Sequence, residues 1–147
     1  MSVIRNQMQR MASVLPEYPV VLSMRGVDET LCSQIIAEIG DVQRFRNKQD
    51  LVAFAGIDAT PFQSGMFESR DRSISKRGSP LLRKALFLVI SCLMQTSPAD
   101  DAVYQYLDKK RTEGKHFYVY MMAGTNKFLQ IYYARVKAYL DSLEAVA

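Results

Sequence analysis

The sequence is poor in the side chains that bind metals or exchange protons at neutral pH. Its only histidine, His116, argues against a zinc site and leaves a single imidazole for acid–base chemistry. Its two cysteines, Cys32 and Cys92, do not have the spacing of metal ligands, and each lies in a helical apolar pattern. We therefore predict two reduced thiols in the core, with no metal and no cofactor bound by this chain.

Long apolar runs are also lacking. The longest, from Ala85 to Ile90, ends at a polar serine and is far shorter than the roughly 18 residues that span a bilayer. The first seven residues do not resemble the apolar part of a signal peptide. Hydrophobic residues make up 48% of the 147 residues and charged residues 23%, proportions typical of a globular domain with a real core. We expect a cytoplasmic protein without membrane contact.

Positive charge is concentrated in one part of the chain. The formal net charge is +4, and the segment from Pro61 to Lys84 has six basic residues against two acidic ones, Glu68 and Asp71. The remaining residues carry equal numbers of both signs. The basic residues are Arg70, Arg72, Lys76, Arg77, Arg83 and Lys84. Such a cluster is expected of a phosphate-binding surface, although a solvated basic loop is the alternative.

Apolar residues recur at helical spacing through most of the chain, which predicts an all-α, compact domain. Capping residues and glycines mark the ends of the predicted helices. The predicted helices are Val3–Leu15, Asp28–Ile39 before Gly40, a short helix from Asn47 to Gly56, one from Ser79-Pro80, one from Ser97-Pro98 to about Glu113, and a last one from Tyr118 to Leu140. The last has a stripe of tyrosine and methionine, which indicates core or a partner interface.

One segment does not follow this pattern, and it sets the predicted domain organisation. Residues 58–79 contain proline, glycines and serines without a helical period, which predicts a long functional loop. We interpret residues 1–20 as a helix continuing from a missing upstream domain and residues 21–147 as one domain. Within it, residues 21–57 resemble a helix-hairpin-helix, residues 58–79 form the serine-containing basic loop, and residues 80–147 form helices.

The turn Met24-Arg25-Gly26-Val27-Asp28 has the outline of a helix-hairpin-helix. In that motif, backbone N–H groups of a glycine turn and of the following helix bind a DNA phosphate without reading sequence. Asp28 stands where a second glycine is usual. The turn therefore predicts phosphate contacts at Arg25 and Gly26, with an ordinary corner between two helices as the alternative.

A serine precedes the basic residues in Gln63-Ser64-Gly65. A loop serine beside glycine is usually a turn residue, and no hydrolase elbow or acid–histidine order accompanies it. However, a serine that attacks a phosphodiester needs no triad. It needs cationic groups that neutralise the charge on the phosphoryl oxygens and hold the phosphate in line, a task that suits arginine.

Three blocks, Leu51–Asp58, Pro61–Gly65 and Ile74–Leu86, resemble the C-terminal transposase domain of IS116/IS110/IS902-type insertion sequences. The resemblance covers roughly residues 20–137. It extends upstream to Met24–Val27 and Ile36–Asp41, and downstream to Gly114–His116 and Asn126–Leu129. The sequence departs from the family pattern at Met66, where a lysine is common, and at Gly124-Thr125, where alanines are usual and where we predict a bend.

The resemblance implies a protein that cuts and rejoins DNA, with Ser64 as the nucleophile. It also implies an upstream RuvC-like domain with acidic ligands for Mg²⁺, a structured guide RNA and a homo-oligomer. The predicted DNA or phosphate contacts are Arg25, Gly26, Gly65, Arg70, Arg72, Lys76, Arg77 and Arg83. We expect the chain to be inactive without the metal-binding domain. The alternatives are a non-catalytic helix-hairpin-helix module and an oligomerisation domain.

Overall fold

The computed structural model describes residues 2–57 and 78–146, and all regular secondary structure in this part of the chain is helical, as the sequence predicts. It contains seven α-helices and one short 3₁₀ helix. The α-helices are α1 Ser2–Ser13, α2 Tyr18–Leu22, α3 Glu29–Ile39, α4 Lys48–Ala55, α5 Pro80–Thr96, α6 Ala102–Thr112 and α7 Phe117–Val146, and the 3₁₀ helix is Val42–Arg44. The short α2 and the 3₁₀ helix were not predicted from the sequence.

Three helices begin at the capping residues that the sequence predicts. The side chains of Asp28, Asn47 and Ser79 accept hydrogen bonds from the third residue beyond each of them, at 2.8, 2.9 and 3.1 Å. Each satisfies a backbone N–H that has no partner within its own helix. Gly56 ends α4 in the left-handed conformation, which a glycine adopts without steric cost.

The predicted helix start at Ser97-Pro98 is wrong. Ser97 ends α5 instead, with a φ of 48° and its N–H donated to the Leu93 carbonyl at 2.8 Å. An N-cap residue needs an extended backbone, so this conformation cannot start a helix. Asp101 provides the extended backbone and a carboxylate that accepts from the Tyr104 N–H at 2.9 Å, so α6 begins at Ala102.

The core lies between α3, α4, α5 and the long α7, with α6 packed along α7. The largest fully buried side chains include Ile35, Leu51, Leu86, Leu107, Phe128 and Tyr132. The stripe on α7 lies mostly in this core, since Met121, Leu129 and Val136 are buried. The first turn of α7 does not follow the predicted pattern: Tyr120 is buried, whereas Tyr118 is 45% exposed.

Gly124 allows α6 to approach α7 closely. A Cβ atom at this position would lie 3.0 Å from Cδ2 of Leu107. The helix continues through Gly124 for its full 30 residues. The departure from the family pattern therefore serves the packing of two helices.

The two thiols are free, as predicted. Cys32 is fully buried and its Sγ lies 3.7 Å from the Tyr18 carbonyl, while Cys92 is half-buried. Burial raises the pKa of the Cys32 thiol to about 12, so this group is neutral and packs as a small apolar side chain. None of the helices in residues 2–57 and 78–146 combines the length and apolar character that crossing a membrane requires.

Candidate functional site

Most of the predicted site belongs to the segment between α4 and α5. Ser64, Gly65, Arg70, Arg72, Lys76 and Arg77 lie outside the described residues. Their roles therefore stay predictions. The structure does describe the two ends of this segment and the side chains that hold them.

The two ends of segment 58–77 lie against each other at the C-terminus of α4. Ile57 is buried directly after the left-handed Gly56. A Cβ atom at Gly78 would lie 2.3 Å from the Phe54 carbonyl oxygen and 2.4 Å from the Gly56 nitrogen, so only glycine fits there. The Ser79 N–H donates to the same Phe54 carbonyl at 3.3 Å. The described residues on either side of segment 58–77, Ile57 and Gly78, thus come together at the C-terminus of α4.

Two side chains fix this point to the helices around it. The Ser79 hydroxyl donates to Oε1 of Glu38 on α3 at 2.5 Å and also caps α5. Arg83, in the first turn of α5, donates from Nη1 to the Ala55 carbonyl at 3.2 Å. A guanidinium at the last carbonyls of α4 is favourable because the helix dipole is negative there. Three helices therefore meet where the segment begins and ends.

Among the predicted phosphate ligands that follow Ser64, Arg83 lies within the described residues. It is half-buried beside the segment ends, and its contact with Ala55 uses one of the five N–H donors of a guanidinium. This contact holds the cation next to the segment that carries Ser64.

The turn between α2 and α3 lies elsewhere. Arg25 pairs with Asp100, beyond the C-terminal end of α5, at 2.9 Å, and both side chains are more than half exposed. Arg83 lies in the first turn of the same helix, whose 17 residues span about 25 Å. The structure therefore does not bring Arg25 and Arg83 together into one phosphate site.

Packing explains Gly26, and two acids occupy the helix end that follows it. Gly26 has a φ of +85°, and a Cβ there would lie 3.0 Å from the Val89 carbonyl oxygen on α5. The Asp28 carboxylate accepts from the Leu31 N–H at the start of α3, and Glu29 adds a second acid in that turn. Negative side chains at a helix N-terminus occupy the place that a phosphate would take.

Sequence reasoning did not identify Arg44 or Glu38 among the side chains that hold α3, α4 and α5 together beside segment 58–77. Arg44 donates to the Ile39 carbonyl at 3.2 and 2.8 Å, and its guanidinium lies 4.4 and 4.7 Å from the ring centroids of Phe45 and Phe54. These contacts join the end of α3 to α4. The sequence does place Arg44 shortly after Gly40, at the end of α3, which could have indicated an arginine that binds the last carbonyls of that helix. Which carbonyl it contacts depends on the tertiary fold.

The described residues do not fit a metal centre. They contain no group of three or more histidine, cysteine, aspartate or glutamate side chains that could hold an ion. The Glu38 carboxylate beside the segment ends already accepts a hydrogen bond from the Ser79 hydroxyl. No chemical step is therefore assigned to a metal held by these residues.

Comparison with known proteins identifies a family. A family model described as the transposase IS116/IS110/IS902 family matches residues 18–105, which include segment 58–77 and both of its flanks. The 43.6 kDa protein of insertion element IS110 from Streptomyces coelicolor is 28% identical over 109 residues, covering 74% of this chain and 26% of that protein. The 42 kDa protein of insertion element IS900 from Mycobacterium paratuberculosis is 28% identical over 119 residues, covering 80% and 29%. The chain thus spans less than a third of each relative.

Proposed function

The chain belongs to the IS116/IS110/IS902 family of transposases, and from this premise we propose that it is the DNA-contacting, serine-carrying part of an enzyme that cuts and rejoins DNA. The observation that carries the proposal is the family match over residues 18–105, since it includes Ser64 and the helices on either side of it. The role in transposition follows from the family. The assignment of Ser64 as the nucleophile is the proposal that the family resemblance implies.

On this proposal the Ser64 oxygen attacks a DNA phosphorus atom. A bond forms between the serine oxygen and phosphorus, the hydroxyl proton passes to a base or to water, and one P–O bond to deoxyribose breaks. The released sugar oxygen takes up a proton. In the rejoining step another DNA hydroxyl attacks the phosphoserine and frees the serine. Each step exchanges one P–O bond for another, so DNA ends are rejoined without an external energy source.

The cations that follow Ser64 would stabilise these steps. Charge builds on the non-bridging phosphoryl oxygens as the serine attacks, and fixed guanidinium groups lower the free energy of that transition state. Arg70, Arg72, Lys76 and Arg77 supply the charge by sequence. Arg83 supports the assignment by position, because its contact with Ala55 holds it where the segment begins and ends.

We also propose that the enzyme needs more than this chain. The described residues do not fit a metal site, so the Mg²⁺ implied by the family resemblance would belong to an upstream RuvC-like domain. A structured guide RNA, DNA and further copies of the protein are the other proposed partners. The length of the relatives, of which this chain spans less than a third, leaves room for such a domain.

A covalent-trapping experiment tests the nucleophile. A longer protein that includes the upstream domain would be incubated with nicked suicide DNA, and the covalent adduct separated on a denaturing gel. We expect an adduct with the native sequence and none with Ser64→Ala, because that change removes only the attacking hydroxyl. Ser73→Ala, in the same segment, is the matched control and should retain the adduct.

Nucleic-acid binding by the same variants separates the alternatives. Unchanged binding by Ser64→Ala, together with loss of the adduct, supports a nucleophile. Adduct formation by Ser64→Ala would refute the assignment. Binding without any adduct in the native protein would favour the non-catalytic binding module instead.

A further inference from the structure

A second basic surface lies at the turn between α6 and α7, which we call the α6–α7 turn and define as residues 109–118. Residues 109–116 contain four basic side chains and one acidic side chain, Glu113. Lys110 pairs with Glu113 at 3.8 Å and Arg111 pairs with Asp108. Within the described part of the chain, Lys109 and Lys115 have no carboxylate partner.

Helix stability accounts for only part of this charge. Lys109, Lys110 and Arg111 occupy the last turn of α6, where the helix dipole favours cations. Lys115 lies two residues before α7, at the positive end of that helix, where a cation is unfavourable. The first turn of α7 has no acidic residue to offset its charge. A positive charge at this end of the helix dipole is compensated when an anionic ligand binds beside it.

Exposed aromatic rings adjoin these cations. Phe117 is 61% exposed and Tyr118 is 45% exposed. Phe117 makes an edge contact with Tyr120 at 5.5 Å between ring centroids, and Tyr118 makes one with Phe87 at 6.3 Å. Each ring is thus held in place by another ring while much of its surface faces solvent. Rings positioned in this way offer stacking platforms for unpaired bases.

The α6–α7 turn is connected to the proposed site along one face of α5. Phe87 follows Arg83 by four residues, so the two side chains lie one above the other on that helix. Arg83 contacts the end of α4 where segment 58–77 begins and ends, and Phe87 contacts Tyr118. Arg83, Phe87 and Tyr118 therefore follow one another from the proposed site toward the turn.

We propose that the α6–α7 turn binds a single strand of nucleic acid, with Lys109 and Lys115 on the phosphates and Phe117 and Tyr118 stacked on bases. Phosphates supply the anionic charge that the turn lacks, and unpaired bases supply the flat faces that its rings fit. The inference rests on the proposed function only in placing this strand beside the nucleophile. The binding itself does not depend on Ser64 and is measured separately.

Equilibrium binding of the 147-residue chain to labelled oligonucleotides tests this surface. The probes are an unstructured single-stranded DNA, the RNA of the same sequence, and the corresponding DNA duplex. Each is titrated at 50 and 200 mM salt. We expect tighter binding of the single strands than of the duplex. Binding of DNA alone, RNA alone or both identifies the source of the strand.

Two matched pairs of variants locate the contact. Phe117→Leu removes the aromatic face but keeps the apolar bulk, and we expect it to weaken single-strand binding roughly 5- to 150-fold, the range for loss of one stacked base. Phe117→Tyr should retain binding. Lys115→Glu should weaken binding and reduce the salt dependence, whereas Arg135→Glu, on α7 and 20 residues further along the chain, should change the affinity little.

Circular dichroism and thermal unfolding confirm that each variant keeps the native fold. Duplex binding tighter than single-strand binding, no binding at 50 mM salt, or equal effects of Lys115→Glu and Arg135→Glu would each overturn the proposal. An adduct lost in Ser64→Ala together with unchanged affinity in Phe117→Leu would sustain the proposed function and refute this surface.

Discussion

At the scale of single residues, two neighbouring tyrosines on α7 differ in how their hydroxyl groups are satisfied. Tyr132 is fully buried, and its hydroxyl has no hydrogen-bond partner among the described residues. Burial raises the pKa of Tyr132 well above its usual range, so the group stays neutral. The Tyr133 hydroxyl donates to the Phe45 carbonyl at 3.1 Å and ties α7 to the chain before α4. The same functional group therefore weakens the core at one position and strengthens it at the next.

We predict opposite effects of removing these two hydroxyls. Burying a hydroxyl without a partner costs about 1–3 kcal/mol, so Tyr132→Phe should raise the free energy of unfolding by about 1 kcal/mol. Tyr133→Phe should lower it by about 1 kcal/mol, because the Phe45 carbonyl loses its donor. Urea denaturation measures both. A loss of stability in Tyr132→Phe would show that this hydroxyl has a partner.

At the scale of elements, two glycines with similar backbones have different surroundings. Gly26 and Gly114 have φ values of +85° and +86°, so an alanine at either position is strained by the backbone. A Cβ at Gly26 would also press on Val89, whereas nothing lies within 4 Å of a Cβ at Gly114. The difference between the two positions therefore reports how tightly the α2–α3 turn packs on α5.

Alanine substitutions at Gly26 and Gly114 should separate the cost of backbone strain from the cost of steric contact with α5. Gly114→Ala should cost about 1–2 kcal/mol from the backbone alone. Gly26→Ala should cost about 1 kcal/mol more, because Val89 or the turn must shift. Both are measured as changes in the midpoint of urea unfolding. Equal costs would show that the turn moves away from α5 without penalty, so that the backbone conformation alone accounts for glycine at position 26.

Local signals predicted most of the helices. Asp28, Asn47 and Ser79 start helices as predicted, because a cap depends on the few residues that follow it. Ser97 misled the prediction because Asp101, four residues later, is a second candidate cap. Choosing between them depends on where α5 ends against the core, which local sequence does not specify.

The sequence predicted less of the candidate site than of the helices. Charge and the family resemblance indicated segment 58–77, but no pattern showed that Gly78 lies on the backbone of α4 or that Arg83 reaches the Ala55 carbonyl. The sequence predicts that Gly26 contacts a phosphate, but its close approach to Val89 explains why glycine occupies this position. These contacts join residues far apart in sequence, so they follow only from the fold.

At the scale of the whole molecule, the sum of charges hides their arrangement. By sequence, the entire excess of +4 lies between Pro61 and Lys84, and the rest of the chain is neutral. The structure shows that this neutral part is divided. The α6–α7 turn is basic, while the end of α7 is acidic through Asp141 and Glu144, both of which accept from Gln43. A phosphate-binding surface can therefore exist where the summed charge predicts none.

The last prediction concerns the chain by itself. We expect the 147-residue chain to bind nucleic acid but to form no covalent adduct with suicide DNA, even with Ser64 intact. A serine hydroxyl is a weak nucleophile until its proton is removed. The described residues contain no cluster of side chains that could hold a metal ion for this task. His116, the one histidine of the sequence, is exposed directly before α7.

Binding and chemistry should therefore separate in this chain. Because phosphate contacts release counterions, the two contacts proposed at Lys109 and Lys115 should lower the affinity for a single strand about sevenfold between 50 and 200 mM salt. The covalent assay is run beside the longer protein, which should form the adduct under the same conditions. An adduct formed by the chain alone would place the complete machinery, including the base that accepts the Ser64 proton, within these 147 residues. Salt-independent binding would instead show that phosphate contacts do not dominate the affinity. The basic residues would then stabilise the fold and would not bind the nucleic acid.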